Sequence, residues 1–140
     1  MSANLDLVRS IYADWERGDY SGSDWADPEI EFVFGTGEEG LLPGIRTGLA
    51  GMADAYREWL GAWEGAHSEA DKFRELDRKR VVVLDRRSGR GKKSGLDISS
   101  RGATLFHVCE GKVTRLVVYG SRDRAFADLG LTPEDPATSP

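Results

Sequence analysis

The sequence predicts an α+β fold, a curved and mostly antiparallel sheet with helices packed into its concave face. Three observations carry this. The last third reads SGLDISSRGATLFHVCEGKVTRLVVYGSRDRAFADLGL. In it two long β-rich runs, Leu96–Cys109 and Val113–Ser121, flank a tight Glu110-Gly111-Lys112 turn. A glycine in a short link between strand-like runs marks a hairpin. Helical patterns are few, and a long bent hairpin needs a helix laid across it to bury its apolar face. The chain has 140 residues, 39% hydrophobic and 31% charged, which fits one water-soluble domain with a real core.

The elements follow in order. Leu5–Arg17 is an amphipathic helix, with Leu5, Val8, Tyr12 and Trp15 on one face and Ile11 beside them. Asn4 caps it and Arg17-Gly18 stops it. Ser21–Ala26 is read as one more turn, and Asp27 before Pro28 forces the chain out of the helical region. Glu29–Phe34 alternates as a strand, with Ile30, Phe32 and Phe34 on one face and Glu31 and Val33 on the other. Gly35–Gly48 reads as a glycine-rich loop with a short strand at Leu41–Ile45. No Gly-Lys-Ser/Thr follows it, so it is not a phosphate loop. Thr47 caps a second helix, Leu49–Glu64, striped by Met52, Tyr56, Trp59, Leu60 and Trp63. Strands follow at Ala70–Leu76, Arg80–Arg86 and Leu96–Cys109. The Ser88–Ser94 link, with Arg86, Arg87, Arg90, Lys92 and Lys93 in and around it, reads as a solvated basic loop or an anion-steering rim. A short helix ends at Gly130-Leu131. Residues 1–131 thus form one domain. Thr132–Pro140, with three of the five prolines, is expected to be a disordered tail.

Bulk properties exclude some partners. A net charge of −5 speaks against nucleic acid, which wants a basic face. No apolar run is long enough to span a bilayer, so no membrane partner is expected. Ser2–Ser10 carries Asp6 and Arg9 and lacks the apolar centre of an export signal. The single Cys109 cannot form an intrachain disulfide, which points to a reducing, cytoplasmic setting.

The phrases Trp15-Glu16-Arg17-Gly18-Asp19, Asp27-Pro28-Glu29-Ile30-Glu31-Phe32, Gly48-Leu49-Ala50-Gly51-Met52, Glu110-Gly111-Lys112-Val113 and Tyr119-Gly120-Ser121-Arg122-Asp123-Arg124 come in a telling order. With Val81–Leu84 leading to Ser94-Gly95, they resemble the SnoaL-like branch of the nuclear transport factor 2-like superfamily. That superfamily includes ketosteroid isomerases, polyketide cyclases and limonene epoxide hydrolases. The resemblance runs from about Leu5 to Leu131. It implies a cone-shaped α+β barrel, the sheet wrapped around the N-terminal helices, and a homodimer made through the sheet. These phrases identify a fold better than an activity.

Carried over position by position, the resemblance places the isomerase base on Phe32 or a neighbour and the oxyanion-hole acid on Thr104. The helix-one tyrosine falls on Ile11, one step from Tyr12. The isomerase constellation is therefore expected to be absent, and Asp97, Arg101 and Arg115 make no clear epoxide-hydrolase set. A bulge near Asp97–Gly102 would swing Asp97 or Arg101 inward. His67, on a helix end, and His107, on a strand, lie far apart, so no metal site or cofactor is expected. If Phe106 and Val108 face inward, His107 faces out.

The expected cone lining is Trp15, Phe32, Phe34, Tyr56, Trp59, Thr104, Phe106 and Leu116. It is mostly aromatic and suits a small apolar or aromatic molecule. The first functional reading is a small-molecule-binding protein of this fold, with isomerase, cyclase or hydrolase chemistry open and no catalytic residue assigned. The alternative is a non-catalytic homodimeric binding or scaffold module whose cone is filled core. An enzyme needs a positioned acid or base in the pocket, and this lining supplies none. Apolar residues on both faces of Val113–Ser121 give the expected homodimer a second surface.

Overall fold

The computed structural model describes residues 3–19, 22, 24–34 and 44–131, the side chains of 34, 44, 59, 62 and 98 excepted. Its elements are α1 (Ala3–Glu16), β1 (Ala26–Phe34), β2 (Gly44–Thr47), α2 (Gly48–Ala62), β3 (Trp63–Glu75), β4 (Arg80–Gly91), β5 (Asp97–Cys109), β6 (Lys112–Tyr119) and α3 (Arg122–Leu129). The six strands form one curled, unclosed sheet in the order β2-β1-β6-β5-β4-β3. All neighbours are antiparallel except β1 and β6, which run parallel.

Two cores form, one on each face of the sheet. α1 buries Val8, Ile11, Tyr12 and Trp15, the stripe read from its helical spacing. These meet Ile30, Phe32, Val81, Val83, Phe106, Leu116 and Met52 in the concave core. Each fully buried large side chain contributes roughly 1.5–3 kcal/mol by leaving water. On the outer face Val82, Ala103, Leu105, Val117 and Tyr119 are covered by α3 through Ala125, with Leu129 and Leu131 packed beside them.

Local chemistry explains the joints. Glu110 and Gly111 both have positive φ, 52° and 78°, and the two residues link Cys109 to its partner Lys112. Two left-handed residues make the hairpin turn whose twist matches that of the strands. Pro28 lies within β1, where the ladder to β6 skips from Ala26 to Glu31. Proline donates no N–H, so the gap falls where a bond is missing anyway. Ser121 caps α3 by accepting from Arg124 N, and Gly130 closes it at φ 68°.

Several boundaries differ from those read in the sequence. Trp63 is the first residue of β3, paired with Gly91, and not the last of the α2 stripe. β3 therefore begins seven residues before the expected Ala70, and His67 sits on a strand, opposite Ser88. The basic stretch from Arg86 to Gly91 is strand, the second half of β4. The short strand is Gly44–Thr47; the expected start at Leu41 lies outside the described residues, as do the tail and positions 21 and 23 of the expected Ser21–Ala26 turn, whose last residue, Ala26, opens β1. At Glu64–Ala66 of β3 and Ser88–Gly91 of β4, ladder pairing carries the strand through residues with weak intrinsic β preference.

Strict alternation also fails on β6. A register shift between His107 and Val108 places Val113 in the inner core with Leu116 and Val118. The outer side of β6, Val117 and Tyr119, is covered by α3 and does not by itself demand a partner.

Candidate functional site

Five residues of the expected lining, Trp15, Phe32, Tyr56, Phe106 and Leu116, meet one another as packed core. Trp15 is packed edge-on to Tyr12, Tyr56 and Trp25 at centroid distances of 4.9, 6.0 and 6.1 Å. Phe106 lies 6.2 Å from Trp15, and Phe32 meets Tyr56 at 5.4 Å. Phe106, Leu116 and Thr104 are buried, at 0%, 0% and 2% exposure. These rings fill the space between α1, α2 and the sheet. Phe34 is in register with Val118, but its side chain and that of Trp59 lie outside the described residues.

A polar centre lies under this aromatic layer, and sequence reading missed it. Asp85 of β4 is 1% exposed. Its Oδ2 accepts from the Tyr12 hydroxyl at 2.6 Å and from Thr104 Oγ1 at 2.8 Å. Its Oδ1 accepts from Arg87 Nη2 at 3.0 Å. The same Nη2 reaches Ala103 O and Thr104 Oγ1, each at 3.2 Å, while Nη1 donates to Tyr119 O at 3.1 Å. Burial, then the Asp85 charge, holds the Tyr12 hydroxyl well above its ordinary pKa, so it stays a protonated donor. The centre ties α1, β4, β5 and β6 together.

Gly102 makes room for it. A Cβ at Gly102 would stand 2.4 Å from Tyr119 O and 2.9 Å from Arg87 Nη1. Only a residue without a side chain lets the guanidinium pass over β5 to the end of β6. From the outer face Arg122 Nη2 donates to Asp85 O at 3.0 Å and Nε to Gly102 O at 3.1 Å. Asp85 is thus held from both sides of the sheet.

A signal for Asp85 existed. Val81, Val83, Asp85 and Arg87 share one strand face, so an inward Val81 places Asp85 and Arg87 inward too. Ending the strand at Arg86 and grouping Arg87 with the charges of the Ser88–Ser94 link hid this. Arg87 is not part of a basic rim; its side chain is 16% exposed and bound to Asp85. Arg86 pairs with Asp71 and Glu69, and Arg90 with Asp97.

Both Asp85 carboxylate oxygens are taken up by donors of this centre, Oδ2 by Tyr12 and Thr104 and Oδ1 by Arg87. None of these four side chains lines the cavity described next. The Asp97–Gly102 register is continuous with β4, so no bulge turns Asp97 or Arg101 inward; both are exposed. His107 faces out, as the phase of Phe106 implies. Among the described residues no three His, Cys, Asp or Glu side chains gather to hold a metal ion.

Open space lies at the cone mouth. A cavity of about 660 Å³ is bounded by Gly18, Asp19 and Gly22 after α1 and by Leu49, Ala50, Met52, Ala53, Tyr56, Arg57 and Leu60 of α2. Tyr56 belongs to both the cavity wall and the aromatic layer beneath. A second groove, about 580 Å³, lies where β3, β4 and β5 extend beyond β6, and Glu64, Ser88, Arg90, Asp97 and Ser99 give it a polar lining.

Fold and site define a class, an α+β cone with a small-molecule-sized cavity at its mouth. Solved structures place that class. TerC, co-crystallised with polyporic acid, superposes with a TM-score of 0.72 at 24% identity, covering 91% of this chain and 98% of that one. An NTF2-like protein of unknown function from Burkholderia pseudomallei gives 0.75 at 19% identity, covering 91% and 97%. A hypothetical protein of ketosteroid isomerase-like fold from Catenulispora acidiphila, in complex with trimethylamine, gives 0.67 at 16%, covering 91% and 94%. The chain has the nuclear transport factor 2-like fold, the one that its resemblance to the SnoaL-like branch implies. No protein-family model matches the sequence, and no curated protein does. No helix of the described residues is long and apolar enough to cross a membrane.

Proposed function

We propose that this protein binds a small apolar or aromatic molecule at the cone mouth, between the end of α1 and α2. The observation that carries this is the 660 Å³ cavity, walled by Leu49, Met52, Tyr56 and Leu60 and kept open by Gly18, Gly22, Ala50 and Ala53. Its size suits one drug-sized ligand, and apolar walls with a few polar groups are the usual make-up of such sites. Tyr56 offers a ring face continuous with Trp15 and Phe32. TerC, of the same fold, is co-crystallised with polyporic acid, which supports a small-molecule ligand here. No catalytic role is assigned to Asp85, since its oxygens are committed to Tyr12, Thr104 and Arg87.

The test is a panel of hydroxylated aromatic compounds together with polyporic acid, read by tryptophan fluorescence and thermal shift. A ligand at one hundred times its Kd stabilises by about 2.7 kcal/mol. Ala53→Trp, which fills the cavity from an exposed position, is expected to abolish that shift while keeping the unliganded Tm. Binding that survives Ala53→Trp, or no binding by any compound, refutes the reading. The second reading is a non-catalytic homodimeric module, favoured by the ring packing that fills the cone interior. Sedimentation showing only a monomer at micromolar concentration removes it.

A further inference from the structure

Arg80 of β4, His107 of β5 and Arg115 of β6 are direct register partners. They form one row across three strands, with neighbouring side chains about 5 Å apart at Cβ. The inward phase of Phe106 and Leu116 turns the row to the outer face. Its counter-charges stand at its ends. Asp77, on the β3–β4 turn, binds Arg80 Nε at 2.8 Å. Glu31 of β1 stands 3.7 Å from Arg115 Nε, beyond hydrogen-bond distance. Within the described residues the remaining guanidinium N–H groups and the His107 ring make no hydrogen bond of their own. Two forked donors thus flank an imidazole that can supply a third.

We infer that Arg80, His107 and Arg115 form a binding site for a tetrahedral oxyanion, a phosphate or sulfate group, on the outer face of the sheet. Guanidinium forks match such oxygens in geometry as well as charge. The chain as a whole carries −5, so its overall field does not gather anions, and attraction has to be local. Burial, then the charges of Arg115 and Arg80, pushes the His107 pKa down, with Asp77 opposing. An oxyanion in the row offsets that repulsion, so anion binding and His107 protonation reinforce each other. This site is independent of the cone mouth.

The test is an NMR titration of His107 in the full-length chain, in sulfate, inorganic phosphate or phenyl phosphate against chloride at equal ionic strength. Sulfate stays a dianion throughout, which separates the anion's effect from its own titration. The His107 pKa is expected to rise by about half a unit or more, equivalent to about threefold tighter binding to the protonated ring. His67, in the first half of β3 opposite Ser88, serves as the control and is expected not to respond. Arg115→Gln and Arg80→Gln each remove the response while the circular dichroism spectrum stays unchanged. Phenyl phosphate matching phosphate assigns the site to a phosphate group on a larger molecule; a response to the inorganic ions alone assigns it to the free ion. Identical His107 titrations in sulfate and chloride, an equal shift at His67, or a response that survives Arg115→Gln overturns the inference.

Discussion

Replacing Asp85 by alanine tests whether the buried polar centre holds the fold together. The substitution removes the acceptor of three hydrogen bonds, from Tyr12, Thr104 and Arg87. It leaves the Arg87 guanidinium, 16% exposed, without its counter-charge, and the buried Tyr12 hydroxyl without its acceptor. Breaking a buried pair from one side costs about 3–5 kcal/mol, because the stranded charge cannot recover its hydration. Domains are stable by only about 5–15 kcal/mol in total, so the loss is a large fraction. At about 3 °C per kcal/mol for a chain of this size, Tm should fall by about 10–15 °C. Urea unfolding followed by tryptophan fluorescence and circular dichroism gives the free energy directly. Tyr12→Phe removes one donor to a charged acceptor and should cost less, about 1.5–3 kcal/mol. The double variant Asp85→Leu/Arg87→Met removes both charges and should be less destabilised than Asp85→Ala alone. A loss under about 1 kcal/mol for Asp85→Ala, or a double variant worse than the sum of its parts, refutes the reasoning.

Three further outcomes are expected. Gly102→Ala pushes a methyl group against Tyr119 O and Arg87 and should cost about 3 kcal/mol, the upper range for overpacking, in the same urea assay. Asp71 accepts from Arg122 and Arg86; burial alone would raise its pKa, but these bonds outweigh it and hold it below the usual 3.8. Its contribution is present above pH 3.8 and is lost as pH falls through the lower folded value, so Asp71→Asn should flatten the acid limb of stability against pH. Tyr119 is pushed up to about 12 by burial, then by the Asp128 charge and hydrogen bond. Its contribution is complete below pH 10 and lost as pH rises through about 12, so Tyr119→Phe should flatten the alkaline limb measured by thermal unfolding at fixed pH.

Local pattern by itself determined much of this protein. The α1 stripe from Val8 to Trp15, the hairpin turn at Glu110-Gly111, the long β5 and β6 runs and the inward phase of Phe106 follow from periodicities of 3.6 and 2 and from glycine's tolerance of positive φ. The resemblance to the SnoaL-like branch was carried by the order of elements and by phrases such as Asp27-Pro28-Glu29-Ile30-Glu31-Phe32 and Tyr119-Gly120-Ser121-Arg122-Asp123-Arg124. Trp15, Phe32, Tyr56, Phe106 and Leu116 were legible as apolar positions from the same periodicities and meet as packed core; of the expected lining only Tyr56 also borders the cavity at the cone mouth.

Tertiary structure alone decided the rest. Trp63 fits an α2 stripe by spacing, yet it becomes the start of β3 because β4 offers it a partner in Gly91. The Arg86–Gly91 stretch has the composition of a solvated loop, yet pairing with β3 and β5 on both sides makes it strand. Asp85 just before it and Arg87 within it look like surface charges until the ladder fixes which face each occupies and α1 brings Tyr12 to meet them. Whether a charge is solvated or held in a core depends on what packs over it, and the covering groups lie about twenty to seventy residues away in sequence. The empty space at the cone mouth is likewise a property of distant backbone, since the loop after Gly18 and the α2 face meet only once the sheet has curled.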